Sequence, residues 1–195
     1  MQVVLATHNP HKVEELRRIL EPALPGVEVL GYSGPEPVED GASFAENSLI
    51  KARAAAAHTG LPAIADDSGI CVDVLGGSPG IFSARWAGPA RDSNANLELV
   101  LWQLADMAAE HRGAHFTCAV ALVLPDGTER VGTGEWPGQI LAEAVGANGF
   151  GYDPIFLPDG YAISAAELTG TVKNQISHRA LAFEAILPQL RELLG

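Results

Sequence analysis

The chain opens with a continuous apolar run, Val3-Val4-Leu5-Ala6, that stops at the polar residues Thr7, His8 and Asn9. Such a run reads as a buried strand. From Pro10 the period changes. Val13, Leu16 and Leu20 recur at helical spacing, Asn9 suits an N-cap and Pro10 suits the first helical position, so a helix is predicted over 10–20. A strand near Val27–Leu30 and a loop rich in Gly and Pro follow. Ser43 and Glu46 form a capping box ahead of an alanine-rich helix that should end at Gly60. The segments LPAIA (61–65) and ICVDVL (70–75) read as strands on either side of DDSG. Residues 93–111 read as a helix with Leu97, Val100, Leu101 and Leu104 on its apolar side. HFTCAVALVL (115–124) and ERVGTGEW (129–136) predict a hairpin about the turn Pro125-Asp126-Gly127. A last helix is expected from Ile176 to Leu194, kinked or interrupted at Pro188. Helices mixed with strands, one pair of them antiparallel, imply an α/β fold with a mixed sheet flanked by helices.

Composition narrows this. A chain of 195 residues with 47% hydrophobic content buries one substantial core, so a single domain over 1–195 is expected. No apolar stretch approaches the ~18–20 residues of a membrane span, and no secretory signal is recognisable, so a cytoplasmic protein without a membrane partner is expected. Acidic residues outnumber basic ones by 24 to 12, the wrong sign for tracking a nucleic-acid polymer. A phosphate-bearing partner would therefore be small and met by local cations or a metal. Cys71 and Cys118 lie in apolar runs and read as reduced core residues.

Against that acidic background a few positions carry chemistry. The strand-to-helix passage at residues 5–12 is a ready anion site, because unpaired N–H groups point outward at a helix start. Glu39 and the pair Asp66-Asp67 offer the oxygen ligands that Mg²⁺ prefers, although DDSG is equally a turn sequence. Lysine occurs only at 12, 51 and 173. Lys12 falls in a first helical turn, where a cation opposes the macrodipole. Lys51 lies one turn beyond Asn47 on the same side, as a ligand contact or as an ordinary surface lysine. Lys173, His178 and Arg179 in TVKNQISHR suit phosphate and a base edge, or the capping of the last helix. In GANGFGYDPIF, Phe150 and Tyr152 offer faces for a planar ligand, or pack into the core behind a glycine turn. Arg85 lies in a loop, GGSPGIFSARWAG, that either wraps a site or merely connects. No G-x-x-x-x-G-K-[ST] occurs, so the P-loop is absent.

The ordered set THNPHK (7–12), FAENSLIKA (44–52), ADDSG (65–69), GSPGIFSARWAG (77–88), GFGYDPIF (149–156) and KNQISHR (173–179) resembles the Ham1-like family, the inosine/xanthosine triphosphate pyrophosphatases. The likeness spans nearly the whole chain. It implies an elongated α/β fold of two lobes with an active-site cleft between them, a homodimer and a Mg²⁺ requirement. It also implies hydrolysis of noncanonical purine nucleoside triphosphates (ITP, dITP, XTP) to the monophosphate and pyrophosphate. Position by position, the metal ligands would be Glu39, Asp66 and Asp67, with Asp67 also the catalytic proton acceptor and Ser68 beside the substrate. The first motif, Thr7, His8, Asn9, Pro10, His11 and Lys12, would bind substrate, with Thr7, Asn9, Lys12, Lys51 and Lys173 holding the triphosphate. Phe150, Gly151, Tyr152 and Asp153, with His178 and Arg179, would enclose the base. The family usually has glycines where this chain carries His8 and His11.

In that reading a purine 6-oxo group accepts from N–H donors such as those of His178 or Arg179, whereas adenine's 6-amino group leaves a buried group unpaired, a difference that can reach ~10⁴-fold. Two other readings use the same residues: a Mg²⁺-dependent phosphatase releasing orthophosphate, and a non-catalytic nucleotide-binding module.

Overall fold

The computed structural model describes residues 1–8 and 10–195, the side chains of Pro10, His11 and Glu15 excepted. In chain order its elements are β1 (Gln2–Leu5), α1 (Pro10–Ala23), β2 (Glu28–Gly31), α2 (Phe44–Thr59), β3 (Ala63–Val72), β4 (Ser78–Pro79), α3 (Ser93–Gln103), β5 (Gly113–Val123), β6 (Glu129–Ile140), β7 (Phe156–Pro158), α4 (Gly170–Ile176) and α5 (His178–Leu194). The strands hydrogen-bond in the order β2-β1-β3-β5-β6-β7, with β4 on β3. β1 is parallel to β2 and β3, while β4 and β7 are antiparallel to their partners. The fold is thus α/β with a mixed sheet flanked by helices.

Local signals explain several boundaries. Ser43 Oγ accepts from Glu46 N at 3.1 Å, and Glu46 Oε2 accepts from Ala42 N at 2.6 Å, which starts α2. Gly60, at φ +68°, ends it by donating to Ala56 O. Between β5 and β6, Gly127 at φ +89° donates to Leu124 O, and Asp126 Oδ1 accepts from Thr128 N. The N-cap expected at Asn9 lies outside the described residues.

Other boundaries depart from expectation. DDSG is not a turn: β3 runs without a break from Ala63 through Asp66-Asp67 to Val72. The aspartates therefore sit in mid-strand, and the second apolar run stops at Val72. The helix expected over 93–111 ends at Gln103. There the buried guanidinium of Arg112 donates to the carbonyls of Leu104 and Met107, which a longer helix would have satisfied itself, and to that of Leu141 beyond β6. KNQI belongs to the short helix α4, and α5 begins at His178 and continues through Pro188. Phe183 and Ile186 before the proline, and Leu190 and Leu194 after it, are anchored in one core, which holds α5 together across the missing donor.

The chain divides into two compact units. Unit 1 comprises Met1–Asp67, Cys118–Gly134 and Arg179–Gly195. One face of its strands (Val3, Leu5, Ile64, Cys118, Val120, Leu122) packs on Leu16 and Leu20 of α1 and on Phe183, Ile186 and Leu190 of α5. The other face (Val4, Ala63, Ala65, Ala121, Val123) packs on Ala52, Ala55 and Ala56 of α2. Unit 2 comprises Ser68–Thr117 and Glu135–His178. Its core joins Ile70 and Val72 to Leu97, Val100 and Leu104 of α3, and to Phe116, Trp136, Tyr152 and Phe156. Both cysteines are free and buried; burial pushes the Cys118 thiol up to about 12, so it stays protonated at neutral pH. Among the described residues no helix is long and apolar enough to cross a membrane.

Candidate active site

Alternation along β3 separates the two aspartates. Ile64 faces α1 and α5 while Ala63 and Ala65 face α2, so Asp66 takes the first side and Asp67 the second. The contacts agree. Asp66 Oδ2 accepts from Lys12 Nζ of α1 at 2.9 Å, and from Arg179 of α5 at 3.1 Å (Nη2) and 3.3 Å (Nε). Asp67 Oδ1 accepts from Lys51 Nζ of α2 at 3.0 Å, and Asp67 Oδ2 from Asn47 Nδ2 at 3.3 Å. Lys51 Nζ also lies 3.6 Å from Glu39 Oε1. Asn47 Oδ1 in turn accepts from Gly41 N at 3.0 Å, tying the loop that carries Glu39 to α2. Helical spacing places Asn47 and Lys51 one above the other on the face toward β3.

These environments drive the neighbouring carboxyls apart. Burial alone would raise Asp66, but Lys12, Arg179 and Lys51 outweigh it and hold this carboxyl well below the usual range. Asp66 is 2% exposed and Arg179 0%, so the pair is a fully desolvated one. For Asp67 burial is again the largest influence and Glu39 adds to it. Together they exceed the pull of Lys51 and Lys12, and the carboxyl sits above its ordinary value. Lys51 is raised: burial opposes its charge, but Asp67, Asp66 and Glu39 favour it more.

The rest of the first motif divides. His8 Nδ1 lies 2.7 Å from Glu36 Oε1, and its ring stacks on Tyr32 with centroids 5.5 Å apart. The Thr7 amide donates to Leu5 O. Asn9 and the side chains of Pro10 and His11 lie outside the described residues.

Unit 2 holds the remaining expected positions. Lys173 Nζ pairs with Asp153 Oδ2, which also accepts from Phe150 N at 2.8 Å, and the same ammonium stands 5.0 Å from the centroid of the Phe150 ring. Phe150 itself is 43% exposed, leaving part of its ring to solvent. Tyr152 instead lies in the core and donates from its hydroxyl to Ser83 O at 2.8 Å. His178 is buried with its ring stacked on Phe116, centroids 4.8 Å apart, and on Trp136 at 6.3 Å. Ser68 follows Asp67 on β3, and Gly151 adopts φ +62°.

Sequence reasoning missed Asn47 as a ligand of Asp67, Glu36 and Tyr32 as partners of His8, and the aromatic bed of His178. Only Asn47 left a signal, its one-turn spacing from Lys51. It assigned Arg179 to the base, and did not foresee that its Nε and Nη2 donate to Asp66.

Two observations bear on a divalent ion. Glu39 and Asp67 direct oxygens at one cationic group, and Asp66 Oδ1 is buried with no hydrogen-bond partner among the described residues. Among those residues no three His, Cys, Asp or Glu side chains gather as a metal cluster. One or two carboxylates completed by water and substrate phosphates is the usual Mg²⁺ arrangement, and this donor set fits it.

Adjacent carboxylates on β3 meet lysine partners in α1 and α2, and the chain belongs to the Ham1 family, whose model matches residues 3–189. It is 60% identical over 193 residues to a protein named dITP/XTP pyrophosphatase in Leifsonia xyli subsp. xyli, covering 99% of this chain and 97% of the relative. A Streptomyces coelicolor protein of the same name is 56% identical, covering 100% of this chain and 99% of its own. Among solved structures, the Ham1 protein of Staphylococcus aureus matches with a TM-score of 0.89 at 36% identity, covering 98% of this chain and 99% of that one. A nucleoside-triphosphatase / dITP/XTP pyrophosphatase from Mycobacterium abscessus matches with 0.79 at 49% identity, covering 96% and 100%.

Proposed function

We propose that this protein hydrolyses noncanonical purine nucleoside triphosphates, dITP, ITP and XTP, to the monophosphate and pyrophosphate. The observation that carries this is the convergence of Lys12, Lys51 and Arg179 on Asp66 and Asp67, in a chain so close to proteins bearing the dITP/XTP pyrophosphatase name. Lys12 and Lys51 are the groups assigned to the triphosphate, Lys51 exchanging its carboxylate partners for phosphate oxygens while Lys12 keeps Asp66. Asp66 stays ionised and fixes Lys12 and Arg179 in place. Asp67, oriented by Asn47, accepts a proton from water as the water oxygen bonds to the α-phosphorus. The bond from that phosphorus to the bridging oxygen breaks, and pyrophosphate leaves with the bonding pair. A carboxyl raised by burial and by Glu39 is the better proton acceptor of the two. Glu39 and Asp67, with Asp66 through its Oδ1, unpartnered among the described residues, would hold a divalent ion, which would supply neutralisation of phosphate charge and polarisation of the phosphoanhydride. Phe150 and His178 are assigned to the base. We further propose Mg²⁺ as the ion, a homodimer, and residence in the cytosol.

The test is a panel of dITP, ITP, XTP, GTP and ATP with and without Mg²⁺, with the released phosphate species identified. Pyrophosphate from the first three, and a loss of at least about 10²-fold in Asp67→Asn, are expected. Orthophosphate as the product would favour a phosphatase, and binding without turnover a nucleotide-binding module; either outcome rejects the proposal.

A further inference from the structure

The ammonium of Lys51 stands between the two carboxylates that would serve a divalent ion. It is 3.0 Å from Asp67 Oδ1 and 3.6 Å from Glu39 Oε1, oxygens contributed by β3 and by the loop ahead of α2. The second Asp67 oxygen is turned to Asn47, so Oδ1 is the one that faces the ammonium and Glu39. Lys51 is itself mostly buried, with a side chain 14% exposed, and its attraction to these carboxylates is correspondingly little screened. Mg²⁺ takes carboxylate oxygens at about 2.0–2.1 Å. An ammonium and a dication drawing on the same two oxygens would lie within a few ångströms of each other, where like charges repel strongly. One must leave for the other to enter.

We propose that Lys51 is the resident counter-ion of the Glu39–Asp67 pair, holding those oxygens against free divalent ions and releasing them when a polyphosphate takes the ammonium. This rests on the phosphate-binding role given to Lys51 above. Its consequence is thermodynamic: polyphosphate and metal strengthen each other's binding by a common factor, because each removes the group that obstructs the other. The protein thereby favours a metal–nucleotide complex over either part alone. Asp66 Oδ2 does not take part in this exchange, since it is held by Lys12 and Arg179.

Titrating the full-length protein with Mn²⁺ alone, without nucleotide, and following free Mn²⁺ by electron paramagnetic resonance tests this directly. Lys51→Met should bind Mn²⁺ at least about fivefold more tightly than the wild type, the lower end of ordinary coupling between sites. Lys51→Gln, which also removes the charge but keeps a polar end, is held to the same threshold, and Lys51→Arg should stay near the wild type. Equal or weaker Mn²⁺ binding in the two neutral variants overturns the proposal. So does a gain that survives when Asp67→Asn is added, since the ion would then be held elsewhere. Pyrophosphate release by the wild type is measured separately. An active enzyme whose neutral variants gain no Mn²⁺ affinity rejects the counter-ion alone, and a protein that fails to release pyrophosphate rejects the enzymatic reading alone.

Discussion

Replacing Asp66 by Asn removes one charge and almost no volume. In the wild type its Oδ2 receives Lys12 Nζ at 2.9 Å and two nitrogens of Arg179 at 3.1 and 3.3 Å. Arg179 is 0% exposed, and a guanidinium does not shed its proton in a protein. The variant thus leaves a buried cation opposite a neutral amide. Removing one member of a buried ion pair costs about 3–5 kcal/mol, and because the amide oxygen still accepts a hydrogen bond, about 3 kcal/mol is expected. For a chain of this size each kcal/mol lowers Tm by about 2–4 °C, so the melting point should fall by about 6–12 °C. Urea denaturation followed by circular dichroism gives the free energy, with the slope m unchanged. The pH dependence supplies a second reading. Asp66 has a folded pKa below its unfolded one, so its contribution is complete above the unfolded value of about 3.9 and is lost as pH falls below it. Asp66→Asn should therefore lose less stability on acidification than the wild type does. A cost under about 1 kcal/mol, or parallel acid limbs for the two proteins, would refute the assignment of Asp66 as the fixed anion under Lys12 and Arg179.

Two further substitutions test unit 2. Gly149 adopts φ +73°, and a Cβ there would lie 2.1 Å from Asp153 Oδ2; Gly149→Ala should cost about 1–3 kcal/mol from backbone strain, read by thermal denaturation, and no loss would refute the tight turn. Tyr152→Phe removes the hydroxyl that donates to Ser83 O; about 1 kcal/mol of stability should go, and an unchanged urea midpoint would show the bond to be dispensable.

What could be seen in the sequence was what is decided locally. Ser43, Glu46 and Gly60 set the ends of α2 through bonds spanning four residues or fewer, and the helix lies where they put it. The apolar runs of β1 and β5 were similarly open to inspection. DDSG was different. Its four residues satisfy every rule for a turn, and they are extended because cations from α1, α2 and α5 neutralise two carboxylates in mid-strand. Arg179 lies 113 positions from Asp66, so no window of sequence holds both. The same distance explains why the contact of Arg179 with Asp66 was not foreseen. That α5 is not interrupted at Pro188 was hidden for a related reason, since the residues that keep it continuous make their contacts with other elements.

The chain passes between the two units four times, at 67/68, 117/118, 134/135 and 178/179. During synthesis this sets a fixed timetable. Every segment of unit 2 has left the ribosome by residue 178, while unit 1, begun first, still waits for Arg179 to counter Asp66 and for Phe183, Ile186 and Leu190 to cover its strands. A nascent chain stalled before Arg179 would expose that apolar surface and leave Asp66 without one of its two cations, making it a strong substrate for chaperones and proteases.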